Sequence, residues 1–411
     1  MAFSEKDRTI IRDAAKRVAE IAADPVQKET TELWYRLNRL ERTRPLILIY
    51  DATHHETGNK ITCQAEDEQA RNHEYGLRQK IYYWEHMRDD HVWDNKIICG
   101  VSVHSTGYGI DANATRPDHV FGASRFNSVI PDDEDPSRIP MPTVTVDWEE
   151  TERNFQRLSE LYDGILTVEK RGIAGCGYAP LDAFITWRGI EQTFMDMVDR
   201  PEWLHGWLDR MCRFHLSELD QYEKLNVLSL NNANNRVGSG GLGFNDELPQ
   251  SDFDGSHVRT IDQWGHTTTQ IFSEVSPAMH EEFAIKYEKQ FISRFGLANY
   301  GCCEPLDLKV DLIMKHMPNV RRISMSPKAN VARGAQALGR RAVFSHKPNP
   351  TIIGMEHWDV DLARAELRDT FEKTRGCVVE VVMKDLHTCR GEPRRMWEWV
   401  DMAKKLSEEY A

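Results

Sequence analysis

The chain has 411 residues, of which 40% are hydrophobic and 28% are charged. A chain of this length and apolar content can bury a large core, which excludes a disordered or collagen-like protein. The net charge of −13 argues against nucleic acid as a partner, because binding phosphates needs a basic surface. No apolar run approaches the ~20 residues of a membrane helix, and the first residues lack the apolar stretch of a signal peptide. We therefore expect a cytoplasmic protein with no membrane partner.

The N-terminal segment predicts an amphipathic helix. Ser4 stands three residues before Asp7, and apolar residues follow at helical spacing until Pro25, a pattern typical of a capped helix. We expect residues 1–43 to form a helical extension and residues 44–411 to form the main domain.

Eight short apolar runs follow, and most of them lack the alternation of a half-exposed strand. This pattern predicts strands buried on both faces of a parallel sheet. Helical patterns lie between several runs, for example after Pro201 and from Ser276, which indicates βα units. Eight such units predict an α/β fold of the (β/α)8 TIM-barrel type. The runs begin at Leu46, Ile97, Gly164, Leu225, Gly296, Val320, Arg341 and Val378.

Two long segments, 104–150 and 231–262, do not fit this alternation and are rich in polar, glycine and proline residues. Long loops of a barrel follow its strands, so we expect both segments to lie over the carboxyl ends of the strands. Residues 238–243 match G-x-G-x-x-G, but an acidic, proline-containing stretch follows them where a helix is needed. A dinucleotide site is therefore disfavoured.

Polar side chains follow each predicted strand, and in a barrel the carboxyl ends of the strands converge on one face. We therefore predict an active site there, although ordinary strand ends entering polar loops would explain some of these residues. Asparagine in particular is a common turn former, so part of the substrate-binding set is expected to fail. The predicted catalytic residues are Glu304, His346 and Asp385, and the predicted substrate-binding residues are Asp51, His54, Asn231, Asn234, Trp264 and His266.

Three residues form a candidate zinc site. Alternate residues of an extended segment share a face. The side chains of Cys302 and Glu304 should therefore point to the same side, and so should those of His387 and Cys389. Thiolate and imidazole are preferred zinc ligands, and three protein ligands with an open position are typical of a catalytic zinc. We predict zinc bound by Cys302, His387 and Cys389, with Cys303 facing away into the core. Buried cysteines and an ordinary histidine remain the alternative, and Cys303 or Glu304 could replace one ligand.

Several segments resemble the uroporphyrinogen decarboxylase superfamily. They are residues 177–197, the helical pattern from Arg200, the one from Ser276, and Y-G-C-C-E-P-L-D from Tyr300. The likeness runs from about Arg44 to the C-terminus. It implies a single TIM barrel and one of two reactions. These are decarboxylation of a tetrapyrrole without a cofactor, and zinc-dependent methyl transfer involving a corrinoid carried by a partner protein.

The local residues are more similar to the methyltransferase branch. Cys302 falls where that branch has the cysteine of a His-x-Cys-Gly motif, and Cys389 falls where a later zinc-binding cysteine is expected. Tyr300 replaces the histidine, so His387 is the candidate for the missing ligand. Residues 50–55 contain no arginine, whereas the decarboxylases carry an arginine-rich segment near their first strand.

The resemblance thus implies a zinc-dependent methyltransferase that moves a methyl group from a small methoxylated compound, aromatic by preference, to the cobalt of a corrinoid (cobalamin) protein. This partner would dock transiently. A cofactor-free decarboxylase and a binding subunit without turnover are the alternatives. The methyl donor, the direction of transfer and the formation of a homodimer are left open.

Overall fold

The computed structural model of the chain describes residues 3–50, 56, 61–116 and 124–411. Asp51 and His54, which were predicted to bind substrate, lie outside these residues. None of the helices in the described ranges is both long and apolar enough to cross a membrane. The helices are α1 Glu5–Ala22, α2 Val26–Asn38, α3 Glu68–His86, α4 Trp148–Tyr162, α5 Pro180–Arg188, α6 Ile190–Asp199, α7 Pro201–Lys224, α8 Pro277–His280, α9 Lys286–Ile292, α10 Val310–His316, α11 Val331–Leu338, α12 Thr351–Gly354, α13 Val360–Lys373 and α14 Arg394–Glu408.

The strands are mostly short, with three to six residues each. They are β1 Leu46–Ile49, β2 Lys96–Gly100, β3 Ser102–Ser105, β4 Asn113–Thr115, β5 Arg125–Asn127, β6 Val144–Asp147, β7 Thr167–Arg171, β8 Cys176–Tyr178, β9 Trp264–Thr267, β10 Leu297–Tyr300, β11 Val320–Met325, β12 Val343–His346 and β13 Val378–Met383.

Seven of these strands form the main sheet, in the order β1-β13-β12-β11-β10-β9-β8. Every neighbouring pair is parallel, as expected for strands joined by helical crossovers. In the described part of the chain no pairing joins β1 to β8. The fold is therefore α/β with a parallel sheet and surrounding helices, and a closed barrel is not detected.

Two of the predicted strands lie outside this sheet, and a third is not formed. β2 and β7 pair with each other, and the segment from Leu225 contributes one bridge, between Leu228 and Ile173. The sheet instead includes β8 and β9, which the apolar pattern missed. The described part of segment 104–150 forms two antiparallel pairs, β3 with β6 and β4 with β5, and contacts α5 and α7.

Alternation along the strands gives the main sheet two different faces. One face, here called the helix face, buries apolar residues such as Ile323, Phe344 and Val381 in the main core with the helices. The opposite face, here called the inner face, carries many polar residues. They include His266, Asn299, Arg322, Ser345 and Glu380, which contact one another or residues 236–243.

Helix α2 closes the amino-terminal end of the inner face. Trp34 shares a buried cluster with Leu46, Val343 and Val378, the first residues of three neighbouring strands. Helix α1 begins as predicted, because the Ser4 side chain accepts a hydrogen bond from the Asp7 backbone at 3.1 Å. The helical N-terminal segment thus shares a core with the sheet.

Residues 236–243, here called the glycine loop, run along the inner face. A Cβ atom on Gly238 would lie 2.3 Å from His266 Nδ1, and one on Gly241 would lie 2.4 Å from Trp34. The Gly241 backbone N–H donates to Glu380 at 3.0 Å. These glycines therefore allow close packing of the loop against the sheet, which accounts for the G-x-G-x-x-G match without a nucleotide.

We expect Gly241→Ala to destabilise the fold by about 1–3 kcal/mol, since overpacking of a filled core costs about this much. The added methyl group would meet the buried Trp34 ring and the Glu380 carboxylate at 2.7 Å. Urea unfolding checks this expectation. Gly76→Ala in α3 is the matched control, because nothing lies within 4 Å of the position that its methyl group would take. It should be neutral or stabilising, and an equal loss in both variants would contradict the packing argument.

Candidate functional site

Two thiols meet a lysine at the carboxyl ends of β10 and β13. Gly301, with φ of +87°, turns the chain after β10 so that Cys302 and Cys303 lie with their sulfur atoms 3.4 Å apart. Lys384 Nζ lies 3.5 Å and 3.3 Å from these two sulfurs. Ser239 Oγ of the glycine loop donates to Cys302 Sγ at 2.9 Å. We call Ser239, Cys302, Cys303, Lys384 and Asp385 together the thiol site.

The thiol site favours a thiolate on Cys302. The hydrogen bond from Cys303 lowers the pKa of Cys302 to about 6 against the opposing effect of burial, helped by Ser239 and the charge of Lys384. The pKa of Cys303 is raised, because its proton is held by Cys302, its thiolate would be partly desolvated, and the negative charge of Cys302 would oppose a second thiolate. Cys302 is therefore ionised near neutral pH, which makes it a candidate nucleophile or soft metal ligand.

Lys384 is held by the acidic side chain that was predicted to be catalytic. Its ammonium lies 2.7 Å from Asp385 Oδ2. Burial opposes the charge on Lys384, but the Asp385 hydrogen bond and the two thiols together raise its pKa. Cys303 was expected to face away into the core, and it is exposed instead. The thiol site is therefore open to solvent on the side of Cys303 and Asp385.

Alkylation should report the ionisation of Cys302 directly. In metal-free protein we expect iodoacetamide to modify Cys302 with a pH midpoint near 6 and Cys303 only at much higher pH. Lys384→Met removes a positive charge beside the thiolate, so the midpoint should rise by about one unit or more. Mass spectrometry of the modified peptides measures both rates.

The exposed Lys405 of α14 provides the control, and Lys405→Met should leave the midpoint where it is. Equal pH profiles for Cys302 and Cys303 would contradict the assignment of the thiolate.

Glu304 has the contacts of a positioning residue. Its carboxylate is fully buried and accepts hydrogen bonds from the Cys302 backbone at 2.9 Å and from Thr268 Oγ1 at 2.9 Å. A third donor is the Thr269 backbone at 3.2 Å. Glu304 therefore fixes the turn that carries Cys302, which differs from the predicted catalytic role.

His387 and Cys389, the other two predicted zinc ligands, lie on the segment after β13. The buried Cys389 donates from its backbone to Glu56 at 2.7 Å and has its sulfur 3.1 Å from the same carboxylate. Burial of Glu56 raises its pKa, but donors from Thr388, Gly391 and Cys389 outweigh this and lower it to about 2. His387 is exposed.

The predicted zinc ligands do not form a group within the described residues. No three His, Cys, Asp or Glu side chains in ranges 3–50, 56, 61–116 and 124–411 are placed to bind one metal ion. Glu56 stands between stretches 51–55 and 57–60, which lie outside those ranges. Cys302 is suited to zinc by its chemistry, because its thiol ionises with a pKa of about 6.

His346 points to the helix face. Its neighbours Ser345 and Lys347 contact each other, and Ser345 also donates to Glu380 of the inner face. Alternate residues of a strand point to opposite faces, and the His346 ring indeed lies beside Phe344, with ring centroids 6.5 Å apart. Burial lowers the pKa of His346 to about 3. The predicted catalytic histidine is therefore a neutral core residue.

Three of the predicted substrate-binding residues line one cavity of about 220 Å³ between β8, β9 and the glycine loop, here called the inner cavity. Asn231 lies on its wall, but its amide bonds the backbone of Ala174 and Trp264 at 2.8–2.9 Å. Asn231 therefore positions the wall. Trp264 and His266 line the same cavity.

Asn234 lies elsewhere. It lines a separate cavity of about 600 Å³ beside α1 and α2 and donates to Val92 O at 2.8 Å and Asp94 Oδ2 at 3.0 Å. Its contacts hold the loop against the segment before β2. This is the turn-stabilising role that loop asparagines commonly have.

His266 connects the inner cavity with the thiol site. Burial lowers the pKa of His266 to about 4, with further lowering by the charges of Arg236, Lys347 and Lys384. Its ring fits beside Gly238, which has no Cβ atom, and the next residue, Ser239, contacts Cys302. The imidazole is therefore neutral and surrounded by positive charge.

Sequence reasoning missed three residues near the thiol site: Ser239, Lys384 and Asp182. Lys384 directly follows β13, so the rule that selected Asp385 could also have selected it. Asp182 lies in α5, and burial raises its pKa to about 6, with Gln270 opposing and the charges of Glu304 and Cys302 adding to the rise. Asp182 Oδ1 is buried with no hydrogen-bond partner among the described residues.

Comparisons with known proteins identify the fold alone. No known protein family matches the chain by its profile, and no curated protein matches it by sequence. Among solved structures, a methyltransferase from Methanosarcina mazei superposes with a TM-score of 0.51 at 10% sequence identity. The match covers 93% of this chain and 99% of the other. The two proteins are thus similar in fold over nearly their whole lengths.

Proposed function

We propose that the chain is a methyltransferase that moves a methyl group from a small methoxylated aromatic compound to the cobalt of a corrinoid carried by a partner protein. The observation that carries the proposal is the Cys302 thiolate, held by Ser239 and Lys384 at the carboxyl ends of parallel strands. Ligand sites of parallel α/β folds lie at this edge. The shared fold with a methyltransferase and the resemblance of residues 300–307 to the corrinoid branch support it. We also propose that the fold is a closed barrel of eight strands.

The chemistry requires help for a poor leaving group. Breaking a methyl–oxygen bond of an ether needs a proton or a positive charge on the oxygen while a strong nucleophile attacks the carbon. Asp182, with its pKa near 6 and an unpartnered carboxylate oxygen in the described part of the chain, is suited to donate the proton. Lys384 stabilises the partial negative charge that develops on the departing oxygen before the proton transfer from Asp182 is complete, so that the leaving group departs as the neutral phenol.

The proposal includes a zinc ion, and Cys302 is one of the residues that would bind it. A bound zinc ion would act as a Lewis acid on the ether oxygen. We expect about one zinc per chain in protein prepared without chelator, lost in both Cys302→Ser and Cys389→Ser. Cys377→Ser is the control, since its sulfur contacts Ala335 O. Elemental analysis measures the content, and full zinc in Cys389→Ser would remove that residue from the ligand set.

The thiol site has to admit a protein-bound corrinoid. Cys303 is exposed and Asp385 is more than half exposed, so a large partner can approach the strand ends. The corrinoid must come within bonding distance of the substrate methyl group. A transient complex with movement of surface loops fits this requirement.

The test is anaerobic incubation with a corrinoid protein in the cobalt(I) state and a panel of methoxylated aromatic compounds. We expect conversion to methyl-cobalt(III), followed by absorbance, and release of the matching phenol. Absence of methyl-cobalt across the panel, together with carbon dioxide release from an acidic substrate, would favour the cofactor-free decarboxylase instead.

A further inference from the structure

Helix α6 carries a row of apolar side chains on its solvent side. Ile190, Phe194 and Val198 follow one another at intervals of four residues, so they lie along one side of the helix. Met195 lies one turn before Val198 and widens the row. Val198 is 70% exposed, Met195 is 50% exposed and Ile190 is 43% exposed. Single exposed apolar residues are common in soluble proteins, but a row of them indicates a surface that another molecule covers.

The row on α6 lies beside a second exposed apolar residue on the loop after β10. The Phe194 ring packs against Phe272 of the short 3-10 helix Gln270–Glu274, with ring centroids 6.3 Å apart. The carbonyl of Phe272 accepts a hydrogen bond from Lys309 Nζ at 2.8 Å, and the residue before Lys309, Leu308, is 61% exposed. The exposed apolar side chains around Phe272, here called the apolar rim, are Ile190, Phe194, Met195, Val198 and Leu308.

The apolar rim lies next to the thiol site. Thr269, directly before the 3-10 helix, donates its backbone N–H to Glu304 at 3.2 Å. Glu304 in turn accepts from the Cys302 backbone at 2.9 Å. Cys303 is exposed, and it lies in the same loop as Leu308. A molecule bound to the apolar rim is therefore beside the side of the thiol site that is open to solvent.

Carboxylates border the apolar rim. Glu191, Asp199 and Glu274 are exposed, and none of them forms an ion pair with another described residue. Arg188 and Arg200, which flank α6, already pair with aspartates. The border therefore carries negative charge. This charge fits a partner whose own apolar surface is surrounded by lysine or arginine, because complementary charge at the edge of an interface favours encounter with the correct partner.

The charge of the border decides between possible occupants. A twofold dimer brings the same surface of two copies together, so the carboxylates of one copy would face those of the other, which is unfavourable. An anionic lipid surface is disfavoured for the same reason. A second copy on the apolar rim would also cover the opening at Cys303. The occupant that these observations favour is a different protein with a basic border.

We propose that the apolar rim and its carboxylate border form the docking surface for the protein that carries the corrinoid. This inference rests on the proposed function, because it assigns the surface through which that partner reaches the thiol site. The partner covers Met195, Val198 and Leu308 with apolar side chains and places basic side chains opposite Glu191 and Glu274. A few central residues contribute most of the binding energy of an interface, so Met195 and Val198 are the positions to change.

Two methyl acceptors separate docking from the chemical step. Free cob(I)alamin needs no protein surface, whereas cob(I)alamin on a corrinoid protein depends on the docking of its carrier. We expect the double variant Met195→Glu with Val198→Glu to raise the KM for the corrinoid protein at least tenfold, the effect of losing one central contact. The rate with free cob(I)alamin should stay the same. Absorbance of methyl-cobalt(III) measures both reactions.

Calorimetric titration of the full chain with the corrinoid protein, without a methyl donor, measures docking directly. The double variant should bind at least tenfold more weakly than the wild type. Added salt should weaken binding to the wild type, and Glu191→Lys should both weaken binding and reduce this salt dependence. Val26→Glu is the matched control, because Val26 is also an exposed apolar residue but lies at the start of α2, away from the apolar rim.

Thermal unfolding verifies the fold of each variant, and the single exposed position of Glu191→Lys keeps the test valid if the double variant misfolds. Unchanged binding and unchanged KM in the variants, with methyl transfer intact, would overturn the docking surface and leave the proposed function standing. A dimer of the wild type in sedimentation that the double variant abolishes would assign the apolar rim to a second copy instead. Absence of methyl transfer to either acceptor would contradict the proposed function and the docking surface together.

Discussion

Cys302→Ser should lower the rate of methyl transfer by about a hundredfold to a thousandfold, the usual cost of removing one electrostatic group from an active site. Serine has nearly the same shape as cysteine, but its hydroxyl stays neutral where the Cys302 thiol ionises with a pKa of about 6. The variant thus loses the anion that faces Lys384 and the soft ligand that zinc would need. Methyl-cobalt formation under single-turnover conditions measures the effect.

Cys303→Ser is the matched control for this substitution. It lies next to Cys302 and is exposed, and its raised pKa keeps it protonated. A serine hydroxyl can still donate to Cys302, so the loss should stay below about tenfold. Equal losses in both variants, or near-normal transfer by Cys302→Ser, would contradict the role given to the thiolate.

The apolar strands of the sheet could be predicted from the sequence, because strands buried on both faces are continuous apolar runs. β1 and β10–β13 were found in this way. β8 and β9 were missed because each is short and β9 mixes Trp264 with the polar His266 and Thr267. Its inner face contacts the glycine loop and not another apolar layer, so the expected run of apolar residues is absent.

The order of residues alone could not show to which face of the main sheet each site residue points. His346 is the last residue of β12 and Lys347 directly follows it, but a shift of one residue moves a side chain to the other face. Lys347 consequently points to the inner face and His346 to the helix face. The same rule places Tyr300 on the helix face, where its hydroxyl bonds His280 at 2.6 Å and Glu288 at 2.7 Å. A residue at that position is therefore directed away from the thiol site.

Contacts between distant parts of the chain were also beyond the sequence pattern. Ser239 reaches Cys302 across 63 residues, and Arg236 stacks on Tyr50. Both contacts depend on the course of the glycine loop along the inner face. Nothing in the local composition of residues 236–243 indicates that course, since the same glycines would suit an exposed loop.

The largest stability effect is expected for Asp90→Asn, at about 3 kcal/mol, because breaking a buried ion pair leaves its partners uncompensated. Asp90 is fully buried and accepts two hydrogen bonds from Arg44, at 2.7 Å and 2.9 Å. It also contacts Lys404 of α14 and accepts from the Ile47 backbone at 2.7 Å. An asparagine keeps the shape but leaves two cations facing each other beside β1. Urea unfolding at neutral pH measures the loss.

The pH dependence of this loss is a second readout with a defined sign. Burial alone would raise the pKa of Asp90, but the hydrogen bonds from Arg44 and the charge of Lys404 outweigh it and lower the pKa. A group with a lowered folded pKa stabilises the protein above its unfolded pKa of about 3.9, and this contribution is lost as the pH falls further. The difference in unfolding free energy between the wild type and Asp90→Asn should therefore be largest near pH 7 and shrink below about pH 4.

The exposed pair of Asp361 and Arg364 provides the control, since Asp361→Asn should leave stability unchanged within error at every pH. A difference that grew on acidification would mean that Asp90 is protonated in the folded protein, and the ion pair could then not be what holds β1 to α14.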